Sequence, residues 1–212
     1  MDEAALREAM VEVGERLWSR GLVGATEGNL SARLTKGRFL CTPSGISKGH
    51  LGSGDLVMLD PSGNPIEGRE PSTEIRMHLR LYARRPDCGA VVHAHPPIAT
   101  GFALAGEPIP DGFLPEASVV LGPVALVPFA MPGTDDVPDA MEPLLNLHKT
   151  FLLANHGAVA MGADLWDAYN RMETLERIAH ILFVSRLLAT PKPLPAEAAK
   201  VFRERYLHGR LD

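Results

Sequence analysis

The sequence has few of the features that mark secreted, membrane or nucleic-acid-binding proteins. Its 212 residues include two cysteines, Cys41 and Cys88, which lie far apart without a CxxC partner and predict no disulfide framework. The N-terminus carries acids where a signal peptide carries bases, and no run approaches the roughly 18 apolar residues that a membrane helix needs. The formal net charge of -5 argues against a nucleic-acid surface. We therefore expect a soluble, cytoplasmic protein with neither a membrane nor a nucleic acid as partner.

The pattern of hydrophobic residues predicts a single α/β domain over residues 1–212. The composition, with 45% hydrophobic and 22% charged residues, is ordinary for a globular protein with one substantial core. Helical periodicity is strongest over 165–188, and Asp2 is placed to cap a first helix that Gly21 ends. Further helices are expected near 73–84, 139–148 and 196–206, and strands at 39–42, 56–59, 90–95, 125–128 and 150–154. Because strands and helices alternate without a regular βαβ rhythm, we expect a three-layer α/β/α sandwich with a mixed, largely antiparallel central sheet.

His93 and His95 form the most informative local pattern. On a strand, positions i and i+2 point to the same face, so both imidazoles project together while Ala94 packs on the other face. Pro96 and Pro97 end the strand directly afterwards. Two imidazoles at a strand end favour a pair of zinc ligands, and the alternative is a solvated or hydrogen-bonded histidine pair.

His156 strengthens the metal interpretation. It follows another apolar strand, and Gly157 after it leaves room for a close backbone approach. Three histidines at strand ends have the composition of an open catalytic zinc site, in which the fourth position is left for water or substrate. A structural zinc site is more often closed and cysteine-rich, and neither cysteine stands near another candidate ligand.

Glu74 is the candidate acid/base group. It lies in the first turn of the helix that Ser72 or Thr73 is expected to cap, where the helix dipole also favours a carboxylate, so a structural role is the alternative. His78, four residues later on the same face, is expected at most to pair with Glu74. Glu176 flanks the apolar stripe of the long helix over 165–188 and is expected on a solvated face.

Three segments of small residues could cradle a phosphate through hydroxyls and free backbone N–H groups. They are Gly28-Asn29, Thr42-Pro-Ser-Gly45 and Ser72-Thr73, and each one alone is an ordinary turn or cap. Lys48 is expected at the surface or in the same phosphate region. Neither a Walker-type pattern nor a GxGxxG pattern is present to indicate a nucleotide instead.

Five motifs, in this order, resemble the class II aldolase/adducin-head family over nearly the whole chain. They are Thr26-Glu-Gly-Asn29-Leu-Ser31, Thr42-Pro-Ser-Gly45, Pro71-Ser-Thr-Glu74, His93-Ala-His95 and Asn155-His-Gly157. Five ordered motifs are far more specific than any one of them.

The resemblance implies a metal site, an acid/base residue and a phosphate site. His93, His95 and His156 would bind Zn²⁺, or another divalent metal such as Mn²⁺ or Co²⁺, and Glu74 would be the catalytic acid/base. The residues that the resemblance places around the phosphate are Gly28, Asn29, Thr42, Ser44, Gly45, Ser72 and Thr73. The resemblance further implies a homotetramer with active sites at subunit interfaces.

The expected reaction is the reversible retro-aldol cleavage of a ketose 1-phosphate of the L-fuculose type to dihydroxyacetone phosphate and a small aldehyde. Cleavage leaves an enediolate, which needs a Lewis acid, and three neutral imidazoles leave the full charge of the metal available for it. No lysine lies in a context typical of a Schiff base, so the metal would have to stabilise the electron pair.

The chain departs from the fuculose-type members of the family in Leu114-Pro-Glu-Ala117, where they have a tyrosine. Glu116 is the nearest functional group, as a proton donor or as a turn cap, and Tyr206 is the candidate for a second family tyrosine. A sugar-acid phosphate decarboxylase or a sugar-phosphate 4-epimerase therefore stays open, although the epimerases and dehydratases that resemble this fold lack a glutamate at the Glu74 position. A non-catalytic module like the adducin head is disfavoured, because its relatives have lost metal-binding histidines that this chain keeps.

Overall fold

One eight-stranded sheet organises the chain, whose structure is a computed structural model that describes residues 2–208. In spatial order the strands are β4, β3, β2, β1, β5, β8, β7 and β6. Their bounds are β1 Asn29–Arg33, β2 Phe39–Cys41, β3 Val57–Leu59, β4 Pro65–Glu67, β5 Ala90–Ala94, β6 Val124–Val127, β7 Thr150–Leu153 and β8 Gly157–Gly162. All neighbours pair antiparallel except β6 and β7, which are parallel. The mixed, largely antiparallel sheet is thus confirmed.

Helices cover both faces of the sheet. They are α1 Glu3–Ser19, α2 Ile75–Arg84, α3 Pro97–Ala105, α4 Asp136–Met141, α5 Leu165–Leu188 and α6 Ala196–His208, with a π-helical segment at Ala117–Leu121. Apolar side chains of α1, α3 and α5 share one core with one face of the sheet, whereas those of α2 and α4 share a second core with the opposite face. The three-layer α/β/α arrangement is therefore confirmed.

The predicted elements agree with the structure where the periodicity is long. The range 165–188 is α5, and Asp2 caps α1 by accepting a hydrogen bond from the Ala5 backbone N–H at 2.9 Å. The predicted helix over 139–148 is wrong in its bounds, because the helix begins at Asp136 and gives way to a 3-10 turn over Glu142–Leu144. Four elements were not predicted: α3, β1, β4 and β8. Among residues 2–208, no helix combines the length and apolar content needed to cross a bilayer.

The direction of the central strands decides which residues can meet. Strands β5 and β7 both pair antiparallel with β8, so they run the same way and end at the same edge of the sheet. Strand β1 runs against β5 and begins at that edge, with Asn29 directly opposite His93. Along β5, Val91 and His93 face the α2 side, whereas Val92 and Ala94 pack into the α1–α3–α5 core. The end of β5, the end of β7 and the start of β1 therefore lie together at one edge of the sheet.

Candidate active site

Three histidines converge at this edge of the sheet. His93 is in β5, His95 follows the strand directly, and His156 lies in the turn between β7 and β8. One donor atom from each imidazole lies within 4.8 Å of the donor atoms of the other two. The ring centroids are 4.8 to 5.2 Å apart. The sequence expectation that these three residues share a site thus agrees with their geometry.

The hydrogen bonds fix which ring nitrogens face the cluster. His93 Nδ1 lies 2.9 Å from the Ala158 carbonyl oxygen, so Nδ1–H donates there and the Nε2 lone pair stays free. The Nε2 atoms of His93 and His95 are 3.2 Å apart, and two lone pairs at that distance repel unless a cation or proton lies between them. Two ligands of a tetrahedral zinc are separated by about 3.3 Å when each Zn–N bond is about 2.05 Å. The spacing of this pair therefore fits two ligands of one divalent metal.

Burial keeps the imidazoles in the form that binds metals. Burial, with the interaction with His93 as a smaller cause, lowers the pKa of His156 to about 4. The pKa of His95 is also lowered, again chiefly by burial. A neutral imidazole carries the free lone pair that a metal ion requires, so no proton has to be displaced from His156 near neutral pH.

Gly157 allows His95 to reach the cluster. A Cβ atom at position 157 would lie 2.5 Å from His95 Cδ2 and 2.7 Å from the Ala94 carbonyl oxygen, which are distances that real Cβ atoms do not adopt. The expected close backbone approach at this glycine is therefore present. Asn155, before His156, has a φ of 58°, a left-handed conformation that asparagine tolerates better than most residues.

Glu74 joins the histidine cluster. Its Oε2 atom lies 3.2 Å from His93 Nε2, and its Oε1 atom lies 3.3 Å from His156 Nε2. Asn29 Nδ2 donates to Oε2 at 2.9 Å and holds the carboxylate in place. Burial raises the pKa of Glu74, but the interactions with His93 and His156 and the hydrogen bond from Asn29 outweigh it, so the pKa lies well below its ordinary value. The carboxylate is thus ionised and faces the space between the imidazoles.

The start of α2 differs from the expectation. The residue that caps the helix is Glu74 rather than Ser72 or Thr73, and its side chain makes no capping hydrogen bond. Ser72 Oγ accepts instead from the Glu74 backbone N–H at 3.3 Å and from Asn29 Nδ2 at 3.1 Å. Because Ser72 Oγ makes the capping hydrogen bond, the Glu74 side chain is not needed as a cap and can point toward the histidines.

The three candidate phosphate segments lie side by side. Ser44 N–H donates to the Glu70 carbonyl at 3.0 Å, and Ser72 N–H donates to the Thr42 carbonyl at 3.4 Å. Thr42 Oγ1 accepts from the Leu30 backbone N–H at 3.1 Å, so the buried Thr42 hydroxyl ties its segment to β1. These bonds join the segments around residues 28–29, 42–45 and 70–73 beside the histidine cluster.

Glycines shape two of these segments. Gly28 has a φ of +69°, and a Cβ there would lie 2.6 Å from the His93 carbonyl oxygen, so the chain passes directly over the end of β5. Gly45 has a φ of +73°, and nothing lies within 4 Å of the position that its Cβ would take. Thr73 faces the next loop, with its Cβ 3.7 Å from the Cβ position of Gly133. The space above Gly45 leaves its backbone open to a ligand.

Glu116 and Tyr206 do not join the cluster within one chain. Glu116 precedes the π-helical segment and lines a cavity of about 840 Å³ along α5, on the other face of the sheet from Glu74. Tyr206 packs on Gly122 and lines a small cavity with Arg85 and Lys149. Arg85 and Lys149 precede β5 and β7, so Tyr206 lies at the edge where these strands begin rather than where they end.

Two predicted surface or pairing roles are wrong. His78 does not contact Glu74, because its Nδ1 atom bonds Ser31 Oγ at 2.6 Å inside the protein. Glu176 is not on a solvated face, because its carboxylate accepts from the backbone N–H groups of Ile98 and Ala99 at 2.8 to 3.1 Å. Glu176 thereby caps α3, which begins two residues after His95 and had not been predicted.

Two further residues near the site, Glu27 and Lys48, make contacts that the sequence did not predict. Glu27 Oε2 accepts from the Gly24 backbone N–H at 2.9 Å and lies 3.8 Å from His95 Nδ1. Lys48 is not at the surface, because it is only 2% exposed and its ammonium bonds two backbone carbonyls. No local pattern reveals either contact, since each depends on how loops from distant parts of the chain pack together.

The close contact at Gly157 generates a prediction about metal affinity. Gly157→Ala keeps every candidate ligand but pushes the added methyl against His95, so we expect at least a tenfold weaker affinity for Zn²⁺, which corresponds to about 1.4 kcal/mol. Competition with a chromophoric chelator measures the affinity. Gly101→Ala in α3, where a Cβ meets nothing within 4 Å, is the matched control and should bind as the wild type does. Equal affinities of the two variants would contradict the role assigned to this contact.

Comparison with known proteins agrees with the geometry. The profile of the Class II Aldolase and Adducin N-terminal domain family matches residues 8–183. The chain is 36% identical over 187 residues to a 3-oxo-tetronate 4-phosphate decarboxylase of Haemophilus influenzae, covering 86% of this chain and 89% of that protein. It is 33% identical over 202 residues to a 5-methylthioribulose-1-phosphate/5-deoxyribulose-1-phosphate aldolase of Rhodospirillum rubrum, covering 95% of this chain and 91% of that protein.

Solved structures share the fold over nearly the full length. The structure of YgbL from Klebsiella pneumoniae superposes with a TM-score of 0.87 at 35% identity, covering 96% of this chain and all of that chain. The L-fuculose-1-phosphate aldolase of Thermus thermophilus superposes with a TM-score of 0.77 at 33% identity, covering 91% of this chain and all of that chain. The resemblance seen in the five sequence motifs is confirmed, and the chain belongs to the class II aldolase and adducin N-terminal domain family of enzymes.

Proposed function

We propose that this enzyme uses a divalent metal to break a carbon–carbon bond in a small phosphorylated substrate, and that its reaction is the decarboxylation of a 3-oxo sugar-acid phosphate. One observation carries the choice of reaction: the Glu74 carboxylate lies between the imidazoles, whereas Glu116 and Tyr206 of the same chain lie elsewhere. The 36% identity to a 3-oxo-tetronate 4-phosphate decarboxylase supports the same choice.

The proposed metal ligands are His93, His95 and His156. Zn²⁺ suits three neutral imidazoles with a fourth position open, and Mn²⁺ or Co²⁺ also accepts such a donor set. When bound, the ion would act as a Lewis acid that stabilises the electron pair left by the broken bond. The Nδ1–H bond from His93 to the Ala158 carbonyl orients one ring and makes its Nε2 a better donor.

Glu74 is the proposed proton carrier. In the decarboxylation, the bond between the carboxylate carbon and its neighbour breaks, CO₂ leaves, and the electron pair moves into the adjacent ketone to give an enediolate. The former neighbour carbon then takes one proton, which comes from solvent and passes through Glu74. Asn29 keeps the carboxylate beside the imidazoles through the 2.9 Å bond from its amide. This reaction requires the protein to transfer only one proton, to carbon.

The proposed phosphate site is the group of three segments beside this cluster. Gly45 has open space above its backbone, and its segment is tied to the one around Ser72 by backbone hydrogen bonds. Short segments of this kind present N–H groups and hydroxyls to an anion. The proposed phosphate-binding residues are Gly28, Asn29, Thr42, Ser44, Gly45, Ser72 and Thr73.

A retro-aldol cleavage of a ketose 1-phosphate is the second candidate. It is favoured by the identity to the aldolases of Rhodospirillum rubrum and Thermus thermophilus. That reaction needs a second group, which removes the proton of the hydroxyl that becomes the aldehyde. Glu116 or Tyr206 would supply it only from a neighbouring copy. This candidate therefore goes together with a homotetramer whose sites lie at subunit interfaces, and the exposed side chains of Phe183, Leu187 and Leu188 on α5 support such contacts.

The product assay separates the two reactions. Decarboxylation of 3-oxo-tetronate 4-phosphate and cleavage of a ketose 1-phosphate both leave dihydroxyacetone phosphate, but the first releases CO₂ and the second an aldehyde. We expect CO₂ and dihydroxyacetone phosphate in equal amounts from the 3-oxo acid, with kcat/KM at least tenfold above that for 5-deoxyribulose, 5-methylthioribulose and fuculose 1-phosphates. A chelator should abolish the activity, and added Zn²⁺ should restore it.

The outcomes of this assay are distinct. Faster aldehyde release from one of the ketose phosphates would replace the decarboxylase by the aldolase. Full activity in a chelator-treated protein shown by elemental analysis to hold no metal would contradict the metal site. If none of the substrates yields dihydroxyacetone phosphate, both candidates are wrong.

Glu74→Gln tests the proton carrier. The amide keeps the shape and the hydrogen bond acceptor but cannot carry a proton, so we expect turnover to fall by about 10²–10⁴-fold with metal content unchanged. His93→Ala should instead reduce the metal content. Glu15→Gln, at an exposed position of α1, is the matched control. Full turnover in Glu74→Gln would remove this residue from the mechanism.

Subunit mixing tests whether sites are shared. If Glu116 of a neighbouring copy completes the site, Glu74→Gln and Glu116→Gln are each slow alone, but co-refolded mixtures regain activity. In an equal random mixture about one quarter of the interfacial sites combine two intact residues. We expect this recovery only for the aldolase candidate. A slow Glu116→Gln enzyme that shows no recovery on mixing would contradict shared sites.

A further inference from the structure

Lys48 is a buried cation next to the proposed phosphate site. It begins a short 3-10 turn over Lys48–His50, directly after the segment that contains Gly45, and only 2% of the residue is exposed. Its Nζ atom donates to the Ile46 carbonyl at 2.8 Å and to the Thr26 carbonyl at 3.0 Å. Lysine is almost never fully buried without a reason, because its ammonium loses strong hydration.

The two carbonyls belong to two different segments of the phosphate site. Thr26 lies in the loop that leads to Gly28 and Asn29, and Ile46 directly follows Gly45. One ammonium group therefore connects these segments through their backbone carbonyls. The third segment is held separately, by the bonds from Ser44 and Ser72 to backbone carbonyls of their neighbours. Lys48 thus adds a second link between these segments, beside the backbone hydrogen bond from Thr42 N–H to the Leu30 carbonyl at 3.0 Å.

The charge of Lys48 has no carboxylate partner among residues 2–208. No Asp or Glu oxygen lies within ion-pair distance of its Nζ atom, in contrast to most of the arginines. Burial lowers the pKa of Lys48 to about 8, so the side chain stays mostly charged at neutral pH. A buried charge without a counter-ion destabilises a protein unless a ligand supplies the opposite charge. The site above it is proposed to take an anion.

Helix α1 closes this region from below. A Cβ at Gly14 would lie 2.7 Å from the Lys48 carbonyl oxygen, so α1 packs directly against the turn. Trp18 lies against Gly49, where a Cβ would be 2.5 Å from its ring, and its ring centroid is 5.6 Å from that of His50. These contacts hold water away from the Lys48 stem and leave its ammonium directed at the two segments. In a water-poor environment a charge acts more strongly on a nearby anion.

We propose that Lys48 is a positioning residue that joins two segments of the anion site and supplies positive charge for the phosphate of the substrate. This inference rests on the proposed phosphate site but not on which bond the enzyme breaks. The substrate class that follows is a phosphate monoester, whose dianion gains most from a fixed cation behind the binding loops. Lys48 does not touch the reacting atoms and acts through the backbone of residues 26–28 and 45–46.

Binding of inorganic phosphate to the metal-loaded enzyme tests the proposal. Lys48→Met keeps the length of the side chain and removes the charge and the donors. We expect its dissociation constant for phosphate, measured by calorimetry, to be at least tenfold weaker, with unchanged metal content and circular dichroism. Lys48→Arg, which keeps a charge and donors, should lose less than Lys48→Met. Lys192→Met, at an exposed lysine before α6, is the matched control and should bind phosphate as the wild type does.

Steady-state kinetics give a second readout. In Lys48→Met, KM for the phosphorylated substrate should rise by more than kcat falls, whereas a general structural defect would lower kcat and metal content together. If Lys48→Met does not fold, Lys48→Gln, which keeps an N–H donor without the charge, decides the same point.

Each remaining outcome counts against the proposal. Equal phosphate affinity of the wild type and Lys48→Met overturns the role of Lys48 alone and leaves the proposed function intact. Absence of phosphate binding by the wild type overturns both the Lys48 role and the phosphate site. Failure of both neutral variants to fold would assign Lys48 to the stability of the fold instead of to the anion.

Discussion

The pairing register of β5 with β1 and β8 is the constraint on which the site depends. It sets Asn29 opposite His93 and turns both toward α2, where the amide of Asn29 reaches Glu74. A slip by one residue would turn His93 into the apolar core that holds Val92. His93 would then lose its contacts with the Ala158 carbonyl, His95 and Glu74 together. The register is protected because both faces of β5 are buried, so a shift would expose or mispair every residue of the strand.

Without bound ligands, the site contains buried charges that are not fully balanced by charges of opposite sign. The cluster contains one ionised carboxylate among imidazoles, of which His156 has a pKa lowered to about 4, and the nearby loops cover an ammonium without a carboxylate partner in residues 2–208. A divalent cation bound by the imidazoles would balance the carboxylate of the cluster, and a phosphate near Lys48 would balance its ammonium. Buried charges of this kind lower stability until their ligands bind, which is a common cost of a preorganised site.

Local sequence pattern was sufficient for the parts of the molecule that depend on neighbouring residues. The period of α5, the cap at Asp2, the shared face of His93 and His95 and the close approach at Gly157 all follow from short-range geometry. Strand β8 was missed because Gly157–Gly162 has a glycine at each end and two alanines within it, and α3 because it begins with Pro97 directly after Pro96 and contains a glycine. The contacts of Glu176 and the bond from Lys48 to Thr26 were not predicted because these partners lie 77–78 and 22 residues away in the sequence, where no periodicity reports a contact.

The two candidate reactions break similar bonds and differ mainly in the number of proton transfers that they need. Both leave an electron pair beside a ketone, and the same metal and phosphate contacts would stabilise it in either case. A decarboxylation then needs a proton at one carbon, which a single carboxylate beside the imidazoles can deliver. A retro-aldol cleavage must also take a proton from a hydroxyl one carbon further away, which requires a second proton-transferring group. The choice between them therefore depends on whether a second proton-transferring side chain reaches that hydroxyl, either Glu27, whose carboxylate lies 3.8 Å from His95 Nδ1, or a residue of another copy of the chain.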